Sequence, residues 1–256
     1  TRYKLVTGVQ TCALPIYLEA PSNFPLRQAV FTHVEDRIDH PGFDRNKILI
    51  TTHPTQRDIW FWSIPFSNGR TSVGVVAAAG HFEGRSENLD TCLRSFIDET
   101  PSLQRVLANA VWDTPARTLG GYSANVERLY GPGYALLGNA GEFLDPVFSS
   151  GVTIALRSAE LAARTLVRQL DGEAVDWLAD YDLPLRKGVD TFRAFVERWY
   201  TGELQDIIFH PRHSPGIRRM ISAILAGYAW DETNPFVADP VRRLNTLHEV
   251  CRMEMA

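Results

Sequence analysis

The stretch YALLGNAGEFLDPVFSSGVTIALRSAELAA, residues 134–163, sets small residues, an amide and a helix start in an order that could hold an anion. A compact apolar strand, YALLG (134–138), runs into a Gly-containing loop, and a helix is predicted from near Ser150 to about Leu170. Gly138 and Ala140 keep the strand end free of bulk, so backbone can approach a ligand closely, while Asn139 offers an amide to a sugar-chain hydroxyl. The helix then begins after Ser149-Ser150-Gly151. Its first backbone N–H groups lack intrahelical partners and sum to a partial positive charge, which stabilises an anion such as the N1–C2 edge of reduced flavin or a halide. The plainer alternative is that Ser149 or Ser150 merely caps the helix and the loop merely turns the chain. Glu142 and Asp145 in the same loop could serve as acid or base, although loop carboxylates more often cap helices or face water.

A second motif is WFWSIP, residues 60–65. On a strand Trp60, Trp62 and Ile64 point to one face and Phe61 and Ser63 to the other, so the two indoles stand roughly 7 Å apart along one wall. Aromatic strands of this kind also pack in ordinary cores.

Found together with WFWSIP first in the chain and the Gly-containing segment after it, the two motifs resemble those of the flavin-dependent halogenase family, itself related to the aromatic hydroxylases and geranylgeranyl reductases. GNAGEFLDPVFSSGVTIAL is similar to the family's second flavin-contacting motif, and WFWSIP matches its Trp-x-Trp-x-Ile-Pro signature at every fixed position. The resemblance covers nearly everything from Tyr17 onward and is strong between about 47 and 170. It implies FAD contacts at Gly138, Asn139, Ala140, Pro146, Ser149, Ser150, Gly151 and Val152. It also implies a wall of Trp60, Trp62, Ile64 and Pro65 that divides flavin from substrate and lets only a small oxidant through. The implied reaction takes reduced FAD from a separate flavin reductase, oxygen and a halide, and halogenates a small aromatic or carrier-protein-bound substrate in secondary metabolism. Family members usually carry Gly-Asp-Ala where this chain has Gly138-Asn139-Ala140; the Asn139 amide oxygen can still accept a ribityl hydrogen bond, without the charge. Indole-type members often place a Glu where this chain has Phe148, which argues against free tryptophan as substrate.

The family also begins with a GxGxxG loop and carries a catalytic lysine nearby, and neither is matched here: Lys4, Lys47 and Lys187 are the only lysines, none in a matching context. The first residues suggest why. VTGVQTCALPI (6–16) has the period of neither strand nor helix, and its codons can be written as a widely used short-read sequencing adapter. Residues 1–16 are therefore expected to be foreign, with the nucleotide-binding half unread upstream and the catalytic residues lying within it.

The elements that must position these motifs are legible in outline. With 45% hydrophobic and 22% charged residues the chain has the composition of a soluble globular protein. A net charge of −4 gives no general attraction to nucleic acid or anionic membrane, and no apolar run reaches the roughly 18 residues of a membrane span. Cys12, Cys92 and Cys251 form neither a disulfide framework nor a CxxC site, which favours a reducing cytoplasm. Metal binding is not expected: Pro211 interrupts HPRH, so His210 and His213 read as a surface loop with no acidic or Cys partner close by in sequence. QAVFTHV (28–34), KILITTH (47–53), DIWFWSIP (58–65) and TSVGVVA (71–77) read as an antiparallel sheet, with Asn68-Gly69 supplying the positive φ angles of a tight hairpin. Helices are predicted at 87–99, near 102–110, at 150–170 and over most of the remainder, most clearly at 189–200 and 216–229.

The fold class expected is α+β: part of a glutathione-reductase-like FAD oxidoreductase fold, without its N-terminal dinucleotide-binding half. Its parts would be an antiparallel substrate domain (17–125), a returning strand-loop-helix of the FAD domain (126–172) and a C-terminal helical region (173–256). A non-halogenating flavin monooxygenase or oxidoreductase of the same fold, and a non-catalytic binding module, remain the alternatives.

Overall fold

The computed structural model describes residues 18–255 apart from 23, 124 and 213. Residues 1–16, expected to be adapter-derived, and His213 lie outside the described residues. The strands are β1 (Glu19–Ala20), β2 (Arg27–Glu35), β3 (Leu49–Thr52), β4 (Trp60–Pro65), β5 (Arg70–Ala78), β6 (Arg117–Gly120), β7 (Asn125–Val126), β8 (Tyr130–Gly131) and β9 (Tyr134–Ala135). The α-helices are α1 (Leu89–Asp98), α2 (Pro101–Val106), α3 (Gly151–Leu170), α4 (Leu183–Thr201), α5 (Glu203–Ile208), α6 (Pro215–Leu225), α7 (Pro235–Ala238) and α8 (Pro240–Met255). They form two compact units: Pro25–Tyr122, and Ser123–Ala256 joined by the chain up to Phe24.

The Pro25–Tyr122 unit is an antiparallel sheet in the order β3-β4-β5-β2-β6. Alternation puts Val30, Val34, Phe61, Val73, Val75 and Ala77 on one face, where they join Cys92, Leu93, Phe96 and Ile97 of α1 and Leu103 of α2 in a single buried cluster. α1 forms because those four residues recur at helical spacing, and it starts at Asn88, whose side-chain oxygen accepts the Thr91 N–H at 3.0 Å. The opposite face carries Trp60, Trp62 and Ile64.

The hairpin between β4 and β5 is wider than the Asn68-Gly69 pair suggested. Gly69 is left-handed at φ 82°, whereas Asn68 is not among the positive-φ residues. Phe66 N–H donates to Arg70 O at 2.8 Å, so Ser67, Asn68 and Gly69 form a three-residue loop with the single glycine in the left-handed position. The Asn68 side chain instead accepts the Arg70 N–H at 3.2 Å.

In the other unit, α3 buries Ile154, Ser158, Leu161, Ala162 and Thr165, a stripe at helical spacing, and α4 buries Leu185, Val189, Phe192, Phe195, Val196 and Trp199. The YALLG segment is a strand for only Tyr134–Ala135, paired with Tyr130–Gly131. Beyond it the Leu136 N–H still reaches Leu129 O at 2.8 Å and Leu137 stays extended, and the chain leaves the strand region at Gly138, which takes φ 51° as Gly138–Ala140 closes a 3₁₀ turn. α6 ends at Leu225 where Gly227, at φ 103°, turns the chain: its N–H reaches Ile224 O at 2.9 Å and the Tyr228 N–H reaches Ala223 O at 3.0 Å.

His210 departs from the surface-loop expectation. It is buried, and an acidic neighbour arrives from far along the chain, with Glu254 of α8 placing Oε2 3.6 Å from its Nε2. Among the described residues no helix is long and apolar enough to cross a membrane.

Removing the α1 cap by Asn88→Ala should cost about 1 kcal/mol of stability, measured by thermal or denaturant unfolding; an unchanged midpoint would show that α1 draws nothing from that bond.

Candidate functional site

The first turn of α3 is open. Its N-cap residue, Ser150, is itself helical (φ −71°, ψ −16°), a geometry in which the hydroxyl cannot reach the N–H groups ahead of it, and it makes no capping bond. The expectation that Ser150 merely caps this helix therefore fails, while the partial positive charge of the turn is left for another acceptor. Ser149 sits just outside at φ 52°, exposed and left-handed. Val152, in the first turn, is 71% exposed. Asn139 comes to the same place from the loop, since its Oδ1 lies 3.5 Å from where a Cβ on Gly151 would stand. Structure thus brings Asn139, Ser149, Ser150, Gly151 and Val152 to one end of one helix. This is a donor set suited to an anionic, hydrogen-bonding ring edge such as that of a flavin.

Gly138 serves that arrangement from beneath. A Cβ there would lie 2.9 Å from the Ala155 Cβ, and its backbone N–H donates to Ser158 Oγ at 2.9 Å, so the glycine lets loop and helix meet. Ala140 is partly buried and packs against the Leu18–Leu136 cluster. Pro146 opens the 3₁₀ turn Pro146–Phe148, which delivers the chain to Ser149.

The two loop carboxylates are both buried and both engaged. Asp145 caps the 3₁₀ turn through Val147 N–H (2.9 Å) and accepts the Tyr200 hydroxyl at 2.8 Å. Glu142 receives Arg193 Nη2 at 2.6 Å. Burial is the larger influence on Glu142 and raises its carboxyl above the ordinary range; the charge and hydrogen bond of Arg193 act against it. Neither group stands free to move a proton, and Glu142 neither caps a helix nor faces water.

On the sheet unit, the aromatic motif occupies the face opposite the buried cluster, but its two indoles differ. Trp60 is 1% exposed, whereas Trp62, Ile64 and Pro65 are partly exposed. Their ring centroids lie 6.0 Å apart at 49°, closer than strand spacing alone implies because the rings tilt toward each other. Trp62 lies across β5: its Nε1–H donates to Ser72 Oγ at 3.0 Å, the Phe31 ring of β2 lies beside it at 5.9 Å and tilted by 40°, and a Cβ on Gly74 would fall 2.3 Å from its ring. Gly74 is thus the slot that the indole fills. The glycine inside TSVGVVA was a visible signal of such close approach. Arg193 and Tyr200 gave no such signal, since polar side chains on an amphipathic helix ordinarily face water.

Comparison with known proteins places these features in one family. The model described as Tryptophan halogenase matches residues 43–211, which include both motifs. The 1H-pyrrole-2-carbonyl-[peptidyl-carrier protein] chlorinase of Pseudomonas fluorescens is 25% identical over 224 residues, 87% of this chain and 47% of its own length. A flavoprotein/dehydrogenase of known structure from Cytophaga hutchinsonii is 37% identical with a TM-score of 0.89, covering 96% of this chain and 60% of that one. A flavin-dependent brominase structure is 25% identical at a TM-score of 0.69, covering 90% of this chain and 57% of its own. The chain therefore spans about half the length of the chlorinase.

Gly74→Ala should force the Trp62 indole out of its slot and break its bond to Ser72, at a cost of about 1–3 kcal/mol. Acrylamide quenching and the melting midpoint report it together. If both match the parent protein, the indole does not occupy that slot.

Proposed function

This chain belongs to the tryptophan halogenase family, and from that premise we propose that it is part of a flavin-dependent halogenase acting on an electron-rich ring. The observation that carries the reading is the open first turn of α3 with Asn139 beside Gly151, inside the matched residues. FAD, when bound and reduced, supplies the reaction with oxygen that turns a halide into an electrophilic oxidant. The protein's part is local. The α3 N–H groups at Gly151 and Val152 hold the ring edge, the Asn139 amide takes a sugar-chain hydroxyl, and the partly exposed Trp62 with Ile64 and Pro65 restricts what crosses the aromatic face. The substrate is an aromatic or heteroaromatic ring, free or tethered to a carrier protein. The tethered form is supported by the chlorinase, whose name specifies a carrier-bound pyrrole. Halide and a separate flavin reductase are the partners this chemistry requires.

The same reading assigns residues 17–125 to substrate, 126–172 to the returning part of a glutathione-reductase-like FAD domain and 173–256 to the helical region. The dinucleotide-binding half then lies in further polypeptide. A second stripe on α3 supports this. Leu156, Leu166, Val167 and Leu170 are exposed at helical spacing along the helix, an apolar surface of the kind that other protein usually covers. A second reading, a flavin oxidoreductase that does not halogenate, draws on the structural likeness to the flavoprotein/dehydrogenase.

The enzyme expressed from its complete locus, supplied with a flavin reductase and chloride or bromide, should add halogen to free phenols or to a carrier-bound pyrrole, read by product mass. Trp62→Ala should consume reduced flavin but lose most product. Trp60→Ala is less useful, because truncating a buried indole costs about 3–5 kcal/mol. Flavin turnover without halogenation of any ring offered would favour the oxidoreductase reading.

A further inference from the structure

We infer that Arg193 and Tyr200 of α4 are positioning residues for the flavin site, a clamp that holds the loop 138–150 in the shape that presents the first turn of α3. The inference rests on the flavin reading above and adds to it the device that sets the site's geometry.

The two residues are seven apart, two turns of one helix, and so lie on the same side of α4. Each grips a different carboxylate of the loop: Arg193 Nη2 bonds Glu142 at 2.6 Å, and the Tyr200 hydroxyl bonds Asp145 at 2.8 Å. All the contacts lie within one compact unit. The grip on Asp145 is transmitted directly. Its other oxygen accepts the Val147 N–H at 2.9 Å and shapes the 3₁₀ turn that ends in left-handed Ser149 and hands the chain to Ser150. The grip on Glu142 fixes the opposite end of the loop, two residues beyond Ala140, where the Glu142 N–H also closes onto Gly138 O at 3.0 Å. Ser123 adds a third tie, its hydroxyl donating to Leu144 O at 2.6 Å between the two carboxylates.

Arg193 is committed to this contact. Its Nη1 is buried without a hydrogen-bond partner among the described residues, and its other acidic neighbour, Asp190, stands 3.6 Å from Nε and is largely exposed. A charged pair this well buried contributes little net stability against an apolar pair of the same shape, but it does fix one geometry. Neither Arg193 nor Tyr200 is proposed to touch flavin or substrate. Their effect runs through the backbone of 138–150.

Amide hydrogen exchange on this 256-residue chain tests the clamp, and FAD affinity of the complete enzyme tests its purpose. Arg193→Met and Tyr200→Phe should each speed exchange across 138–150 while leaving the Pro25–Tyr122 unit unchanged as an internal control. In the complete enzyme each should weaken FAD about tenfold, the loss of one charge-assisted hydrogen bond. Arg193→Lys, which keeps the charge, should recover most of the difference. Tyr200→Phe removes a single hydroxyl and serves if Arg193→Met fails to fold. Unchanged loop exchange in folded variants, or faster exchange with no change in FAD affinity, overturns the clamp. A parent enzyme that holds no FAD at all would instead sink the flavin reading, and with it the clamp's purpose.

Discussion

Gly138 and Ala155 have to come within van der Waals contact, because the loop cannot otherwise reach the first turn of α3. Everything proposed for the site depends on that approach. With no side chain on Gly138, the loop lies against the helix, its N–H settles on Ser158 and Asn139 is delivered beside Gly151. The approach also exacts a backbone conformation that an L side chain rarely takes, φ 51°. The rest of the loop is then held by polar ties together with its buried Leu144 and Val147 and the contact of Phe148 with Trp199.

The sheet unit solves a related problem by other means. One face is closed by aliphatic packing against α1 and α2, and the opposite face carries Trp62, which stays partly exposed. The indole is not loose. Hydrogen bonding to Ser72, the tilted contact with Phe31 and the empty space at Gly74 give it one resting position. A ring so constrained suits the gating role proposed for it together with Ile64 and Pro65.

Local pattern carried the sheet and the helices. The alternation in WFWSIP placed Phe61 opposite Trp60 and Trp62, and the spacing of Leu89, Cys92, Leu93, Phe96 and Ile97 marked α1, because in each case the burial of one face decides the structure. Ser150 was legible as a helix start but not as an uncapped one, since capping depends on a backbone angle that residue type does not specify. The hairpin differs in detail for the same reason: Asn68-Gly69 permits two left-handed residues, and the loop uses one. What escaped altogether were partners distant in sequence, Glu142 with Arg193, Asp145 with Tyr200 and His210 with Glu254. A single sequence contains no term for which charged residue will meet which across fifty positions, and each of these pairs exists only once the helices have packed.

The central claim is that the open first turn of α3 stabilises the edge of reduced flavin. Val152→Asp tests it most directly, because Val152 is 71% exposed and the substitution sets a negative charge in that turn without disturbing the packing beneath. In the complete FAD-loaded enzyme the carboxylate should compete with the reduced ring for the same partial charge and lower the two-electron midpoint potential by roughly 10–40 mV. A potential equal to that of the parent enzyme, with FAD still bound, would contradict the account and place the flavin elsewhere.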